Sequence, residues 1–492
     1  MSRIKAPFYP IIYVRGYAMT ASEIAATTAT PYMGFNLGAT KIRQRWDGEV
    51  VKHYFESPLI RLMKDFGYTD AYAEGREKSG NLDPRTIFIH RYYDVADEHF
   101  GDGDAPSIVE AAAELRALIA DVRERVAGDD AAARRDFRVY LVSHSMGGLI
   151  CRCLLQNDGF RDSEEAQLVD KVFTYATPHN GIEMAGMNVP GFLGVWDVNN
   201  FNRKKMAGYL SVAEDGAVNS LNGCFDPNRF FCLVGTNYKD YSAAAGMSRR
   251  LAGARSDGLV RINNAVVSGA PRAFVHRSHS GPFGIVNSEE GYQNLARFLF
   301  GDLRVDGLLE VEHLPLPPSV AQSKKEGEAI RCSYFFEATV APRGAATYTL
   351  TERRKETHSA VFRNYDEMFK HDRLGLDRPR WPYLFSLYLD TDKITHGRTV
   401  VFSIELVVSA TDYEIGGRLF RARRVPGECL YRDTLVVRAT PQADGSWRLR
   451  YIESDEAWAE GRGGDAETDD QGVYIPISSR KGFRAKLRLA LR

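Results

Sequence analysis

The sequence predicts an α/β protein with a mostly parallel sheet, followed by a smaller region built of β-strands. Two observations indicate the parallel sheet. Short apolar runs alternate with amphipathic helical patterns, and one such run bends through glycines into a helical segment at residues 137–150. A third observation indicates the all-β region, because apolar and polar residues alternate in most patterned segments beyond residue 328.

Length and charge bound this interpretation. At 492 residues the chain exceeds the usual size of one domain. We predict a first domain at residues 1–301 and a sandwich-like β-domain at 329–492, joined by a proline-containing linker at 302–328. The 64 basic and 64 acidic residues balance, so the overall charge does not indicate a nucleic-acid partner.

The elements of the predicted sheet follow one another in a regular order. A strand at 10–14 precedes a helix that begins at Pro58, a residue well suited to the first turn of a helix. A strand at 85–93 precedes the clearest helix, at 107–126, which opens with a capping-box pattern and carries one apolar face. Later strands are predicted at 168–177, 230–234 and 273–279, and a closing helix at 288–301.

The segment FRVYLVSHSMGGLI at 137–150 carries the strongest chemical signal. Its strand-like run leads to a bend with Ser145 at the apex, and a helical pattern follows Gly147. Small residues are needed around such an apex because strand and helix press together on either side of it. The bend would expose the hydroxyl of Ser145 beside a helix N-terminus, which favours negative charge. The alternative is an ordinary strand–turn–helix with a glycine-rich bend.

This segment resembles the nucleophile elbow of the α/β-hydrolase superfamily, within its lipase and esterase branch, and the resemblance extends over residues 7–301. The family usually has glycine where this chain has Ser143, and histidine where it has Arg15. The resemblance implies that Ser145 is the nucleophile. It also implies that the backbone N–H groups of Tyr17 and Met146 form the oxyanion hole.

The resemblance also implies an acid and a base. Asp257 lies in a D-G-L-V setting after a predicted strand, as the family's acid does, and Asp226 and Asp240 are weaker candidates. The base is expected in the loop beyond the last strand, where His279 precedes Ser-Gly, while His276 is the alternative. The order serine, acid, histidine is that of α/β-hydrolases.

An apolar insertion at 182–229 is predicted to be a lid or acyl-binding cap, although a loop that merely covers the sheet remains open. Phe192, Leu193 and Trp196 are its candidate substrate-binding residues, because aromatic and aliphatic side chains suit a flexible acyl chain. Before this insertion lies a T-P-H-N-G segment, which many lipases share in similar form. Its His179 is expected to hold loop backbone near the site.

The sequence thus predicts a serine hydrolase of carboxylic esters that acts on a hydrophobic acyl-ester or lipid substrate and needs no metal or cofactor. Phospholipase, thioesterase, GPI-inositol-deacylase-like and acyltransferase activities fit the same residues, and an inactive binding protein is a further alternative.

The six cysteines are interpreted as free thiols, and a cytoplasmic location is expected, while export by a route without a signal peptide remains open. Arg484, Lys486 and Arg488 allow peripheral membrane contact by the β-domain, but a solvated strand face is favoured. The sequence does not indicate the oligomeric state.

Overall fold

The structure is a computed structural model that describes residues 3–16, 29, 32–73, 76–78, 80–96, 106–184, 187–188, 198–213, 216–241, 252–281, 283–343, 348–370, 380–391, 399–416, 423–453 and 463–492. The chain divides into two compact units, Met1–Phe300 and Gly301–Arg492. Each unit has its own secondary structure and is described by itself.

The first unit alternates strands and helices. Its helices are α1 (Pro58–Phe66), α2 (Ile108–Ala127), α3 (Ala131–Asp136), α4 (Gly147–Gln156), α5 (Glu164–Gln167), α6 (Arg203–Tyr209) and α7 (Glu289–Phe300). Its strands are β1 (Ile11–Val14), β2 (Ala39–Gln44), β3 (Val50–Phe55), β4 (Thr69–Asp70), β5 (Tyr72–Ala73), β6 (Arg76–Glu77), β7 (Thr86–His90), β8 (Val139–His144), β9 (Val169–Tyr175), β10 (Glu183–Met184), β11 (Met187–Asn188), β12 (Phe230–Gly235) and β13 (Arg272–Val275).

Seven of these strands form one sheet in the order β13-β12-β9-β8-β1-β7-β4, and every neighbouring pair is parallel. The prediction of a mostly parallel sheet with helices is therefore confirmed. The central strands β1 and β8 are almost wholly buried, as expected of parallel strands covered on both faces. Because the strands are parallel, the loops after β1, β8, β9, β12 and β13 leave from the same edge of the sheet.

Helices α1 and α2 begin where the sequence predicts. Ser107 accepts a hydrogen bond from the N–H of Glu110, whose carboxylate accepts one from Ser107, so the predicted capping box is present at the start of α2. Ser57 caps α1, and Gly67 ends it in a left-handed conformation.

The second unit is mainly antiparallel. Its strands are β14 (Leu303–His313), β15 (Ile330–Arg331), β16 (Ser333–Pro342), β17 (Thr351–Arg353), β18 (Val361–Asn364), β19 (Tyr383–Leu389), β20 (Val400–Ala410), β21 (Tyr413–Ile415), β22 (Arg423–Val425), β23 (Cys429–Pro441), β24 (Trp447–Ile452), β25 (Gly464–Asp465), β26 (Glu467–Asp469), β27 (Gly472–Ser478) and β28 (Arg484–Leu491). Its helices are α8 (Pro318–Lys325) and α9 (Tyr365–Phe369).

Two sheets of this unit share one apolar core. A five-stranded sheet has the order β19-β14-β28-β27-β26, and a larger sheet is built around β16, β20 and β23. Buried side chains from both sheets, including Val305, Phe336, Ile404 and Leu487, belong to a single cluster. The predicted all-β character of this region is therefore confirmed.

The prediction of a linker at 302–328 is wrong. Leu303–His313 is the eleven-residue strand β14, which pairs with β19 and β28, and Pro318 begins helix α8. The prolines between these elements suggested a linker, yet Pro318 occupies a first-turn position that proline suits.

The basic residues of β28 are largely neutralised. Arg488 forms ion pairs with Glu310 and Asp469, and Lys486 pairs with Asp469 at 2.8 Å. Arg484 is exposed. Membrane contact through this strand remains a prediction. The ion pairs of Lys486 and Arg488 leave these two residues little charge to attract anionic lipids.

Within the described ranges, no helix is long and apolar enough to cross a membrane. All six cysteines are free thiols. The cytoplasmic location stays a prediction.

Candidate active site

Ser145 lies in a tight bend between β8 and α4. Its φ of 52° is in the left-handed region, which costs a non-glycine residue roughly 1–2 kcal/mol. The bend is possible because its neighbours are small: a Cβ on Gly147 would lie 2.2 Å from the carbonyl oxygen of Val14, and one on Gly148 would lie 2.3 Å from Thr177 Oγ1. The strand, sharp turn and helix predicted at 137–150 are therefore present.

The surroundings of Ser143 explain how the bend accommodates serine at the position where the resemblance led us to expect glycine. Its side chain is fully buried, and its Oγ donates a hydrogen bond to the carbonyl of Phe173 on the neighbouring strand at 3.3 Å. The hydroxyl thus has an acceptor inside the sheet, so burial does not leave it unsatisfied.

The structure brings the predicted Ser145, His279 and Asp257 together, although 134 residues separate the first two. His279 Nε2 lies 2.9 Å from Ser145 Oγ, and His279 Nδ1 lies 2.8 Å from Asp257 Oδ2. All three residues are at least 95% buried. An ionised carboxylate only accepts hydrogen bonds, so Nδ1 carries the proton and Nε2 accepts from the serine hydroxyl.

The Asp257 loop holds its carboxylate in place. Oδ1 accepts hydrogen bonds from the N–H groups of Leu259 and Val260 at 3.0 and 2.7 Å. The backbone N–H of His279 donates to the carbonyl of Asp257 at 2.9 Å, which ties the two loops together. Gly258 has a φ of 102°, and a Cβ there would lie 2.3 Å from the Cβ of Tyr241.

His144, beside the apex, was not singled out from the sequence. Its Nε2 donates to the carbonyl oxygen of His279 at 2.8 Å, and the two rings lie 5.0 Å apart. Burial lowers the pKa of His144 well below its usual value, and the nearby His279 and Arg15 lower it further. His144 is therefore a neutral donor at pH 7 that holds the backbone of His279.

The alternative residues lie elsewhere. His276 is exposed and makes no described bond to Ser145. Asp226 caps a short helix through Asn228, and Asp240 accepts from the amide of Asn237. The geometry thus favours Asp257 and His279 over these candidates.

Half of the predicted oxyanion hole is described. Met146 is buried directly before α4, at a helix end where backbone N–H groups lack intrahelical acceptors. Tyr17 lies outside the described residues. Gly16 packs against the nucleophile, since a Cβ there would lie 2.5 Å from Ser145 Cβ. Arg15, where the resemblance led us to expect histidine, donates through Nη1 to the carbonyl of Met33 at 2.9 Å.

Arg152 of α4 is fully buried and was also missed. Its Nη1 donates to the carbonyl of His179 at 3.0 Å, and its Nη2 donates to the carbonyls of Val218 and Ser220 at 2.6 and 2.9 Å. Burial lowers its pKa to about 10, so the guanidinium stays charged at pH 7. Arg152 thereby anchors the T-P-H-N-G loop. His179 is also buried, with Nε2 3.1 Å from Thr174 Oγ1, and the role expected for it stays a prediction.

The insertion at 182–229 is partly described. Phe201, Met206, Leu210 and Leu221 are buried, so its later part is packed scaffold. The predicted substrate-binding residues Phe192, Leu193 and Trp196 lie outside the described residues. That 182–229 forms a lid or acyl-binding cap therefore stays a prediction.

No protein-family model matches the chain, and no curated protein matches its sequence. Among solved structures, phospholipase PlaB from Legionella pneumophila aligns with 93% of this chain and 100% of its own, at 13% identity and a TM-score of 0.35. An acetylxylan esterase aligns with 39% of this chain and 79% of its own, at 13% identity and a TM-score of 0.19. Both neighbours are hydrolases, but likenesses with TM-scores this low carry no argument about activity.

Proposed function

We propose that the chain is a serine hydrolase of carboxylic esters with an α/β-hydrolase fold. The observation that carries the proposal is the chain of hydrogen bonds from Ser145 through His279 to Asp257, at the carboxyl edge of a parallel sheet. A serine nucleophile, a base in contact with it and a carboxylate that orients the base are the parts that acyl transfer requires. The proposed substrate is a hydrophobic acyl ester.

The reaction follows from this geometry. Ser145 Oγ attacks the acyl carbonyl while His279 Nε2 takes its proton, and Asp257 stabilises the imidazolium. The N–H of Met146 donates to the oxyanion, with Tyr17 as the predicted second donor. The imidazolium protonates the departing alcohol and leaves an acyl group on Ser145. Water, deprotonated by His279, then releases the acid, so the steps use only protein groups and water.

Labelling with a fluorophosphonate tests the proposal directly. The probe requires an activated serine and an oxyanion hole, so we expect modification at Ser145, mapped by mass spectrometry, and its loss in His279→Ala. Since a lid could close the site, the reaction is repeated with detergent micelles. A folded protein left unlabelled in both conditions would contradict the proposal. Comparing products in water and with an added alcohol then separates hydrolysis from acyl transfer.

His144 is expected to act as a positioning residue for His279. His144→Phe keeps a ring beside His279 but removes the donor at 2.8 Å, so we expect kcat to fall by roughly three- to tenfold with KM nearly constant. His144→Gln keeps an N–H donor and should recover part of the loss. The exposed His276→Phe is the matched control. Equal losses in His144→Gln and His144→Phe would indicate a packing role instead.

A further inference from the structure

The hairpin formed by β2 and β3 carries an exposed tryptophan. Its two strands pair with each other and with no other described strand, and residues 44–50 at its turn are all exposed. Trp46 in that turn is 94% exposed, although tryptophan is highly buried on average. Val50 at the end of the turn and Leu37 before the hairpin are also exposed. The proposed reaction uses none of these residues, so their exposure calls for a separate explanation.

The base of the hairpin is fixed at the end of β1, beside the candidate active site. The ring of Phe35 stacks on that of Tyr13, with centroids 4.4 Å apart, and both rings are buried. Arg15 donates to the carbonyl of Met33 at 2.9 Å and directly precedes the glycine that packs against Ser145. The hairpin therefore leaves the first unit at the carboxyl edge of the parallel sheet.

The other large apolar side chains that are exposed among the described residues of this unit lie at the same edge. Val95 and Phe283 are in the loops after β7 and β13, and Ile60 and Val109 are in the first turns of α1 and α2. Both helices begin at the carboxyl edge because they return the chain to parallel strands that start at the opposite edge. Single exposed apolar residues are ordinary, but here they are confined to the edge that carries Ser145.

The charge of the hairpin also bears on its partner. Residues 39–55 contain four basic and two acidic residues, so their formal charge is +2: Lys41, Arg43, Arg45 and Lys52 against Asp47 and Glu49. Both carboxylates pair with Arg45, at 3.4 and 2.9 Å. The excess of basic residues favours a partner with negative charge, and the exposed apolar side chains favour one that is also apolar.

We propose that this edge docks on a lipid–water interface with anionic headgroups, and that Trp46 is its principal anchor. Tryptophan suits that boundary because its ring is apolar while its indole N–H can remain hydrogen-bonded. The exposed apolar residues lie on separate loops, helix turns and the hairpin, and a fluid lipid surface accepts such separate side chains without a complementary shape. The choice of lipid over another apolar partner agrees with a hydrophobic ester substrate, and to that extent it rests on the proposed function.

Sedimentation of the full chain with vesicles tests the proposal. The vesicles contain phosphatidylcholine alone or equal parts of phosphatidylcholine and phosphatidylglycerol. We expect the wild type to bind the anionic vesicles more tightly, and Trp46→Ala to lower its partition coefficient by about tenfold. Trp46→Phe keeps a large apolar ring and should recover most of the loss. The control is Phe362→Ala, which removes an exposed aromatic ring from the second unit and should bind like the wild type.

Fluorescence quenching by brominated acyl chains then tests whether Trp46 itself enters the lipid. The wild type should be quenched on binding. Trp46→Phe should still bind the vesicles but lose much of this quenching, because the tryptophan that contacts the acyl chains is gone. Wild-type quenching in bound Trp46→Phe would contradict the assignment of Trp46 as the anchor.

Three further results would overturn the proposal. Two are no vesicle binding by the folded wild type and wild-type affinity in Trp46→Ala. The third is self-association without lipid, seen by sedimentation velocity, that Trp46→Ala abolishes, because the edge would then pair with a second copy of the chain. The wild-type measurement decides the first even where a variant fails to fold. Ser145→Ala should bind vesicles like the wild type, so failure of the hydrolase proposal and failure of the docking surface are distinguishable.

Discussion

Replacing Ser145 by alanine is expected to lower kcat on a chromogenic ester by roughly 10⁵- to 10⁶-fold. The reason is that Ser145 Oγ is the atom within 2.9 Å of His279 Nε2, so its removal leaves the base without a nucleophile to activate. Residual rate would come from ester binding and the oxyanion donors alone. Steady-state kinetics with a burst-phase measurement would report both the loss and the absence of an acyl-enzyme.

The matched control is Ser143→Ala in the same elbow. That hydroxyl donates to a strand carbonyl and makes no described bond to His279, so its loss should change kcat by less than tenfold. A Ser145→Ala protein with activity within tenfold of the wild type would exclude Ser145 as the nucleophile.

The sheet was largely predictable because each of its strands except the two-residue β4 contains a local apolar run. Parallel strands covered on both faces have continuous hydrophobic sequences, and β8 and β12 are such runs.

The contacts of Ser145, Asp257 and His279 were predictable for a related reason. Each follows a strand of one parallel sheet, so the loops that carry them leave from one edge.

The strand at Leu303–His313 was missed because buried polar residues interrupt its pattern. Arg304 and Asp306 pair with each other at 3.0 Å and are both less than 10% exposed, whereas polar positions in a strand usually suggest solvent. Gly307 and the nearby prolines added further signals of irregular structure. The ion pair, together with the hydrogen bond that Ser386 Oγ donates to Asp306, explains why these residues are tolerated in a buried strand.

The supporting residues of the site could not be read from the sequence either. His144 bonds to a residue 135 positions away, and Arg152 spans 66 and 68 positions to reach Val218 and Ser220. The burial of an arginine in a helix cannot be recognised from the sequence pattern, because arginine is most often exposed. Only the folded loops supply the carbonyl groups that satisfy it.

Asp257→Asn is expected to lower kcat at pH 7 by about 10⁴-fold while the fold persists. Asp257 Oδ1 accepts two backbone N–H bonds, so in the variant the amide oxygen should keep that position and the NH₂ group should face His279 Nδ1. Nδ1 would then become an acceptor, and the ring proton would move to Nε2. With its proton on Nε2, His279 can no longer accept the proton of Ser145.

This expectation separates orientation from charge. Asp257→Glu keeps the charge but lengthens the side chain, whereas Asp257→Asn keeps the shape and reverses the bond to Nδ1. If kcat of Asp257→Asn falls by about 10⁴-fold and its labelling by fluorophosphonate slows in parallel, the carboxylate acts by fixing which ring nitrogen of His279 bears the proton. Asp240→Asn is the control, since Asp240 bonds to Asn237 in a neighbouring loop. Equal activity of Asp257→Asn and Asp240→Asn would mean that another group orients His279.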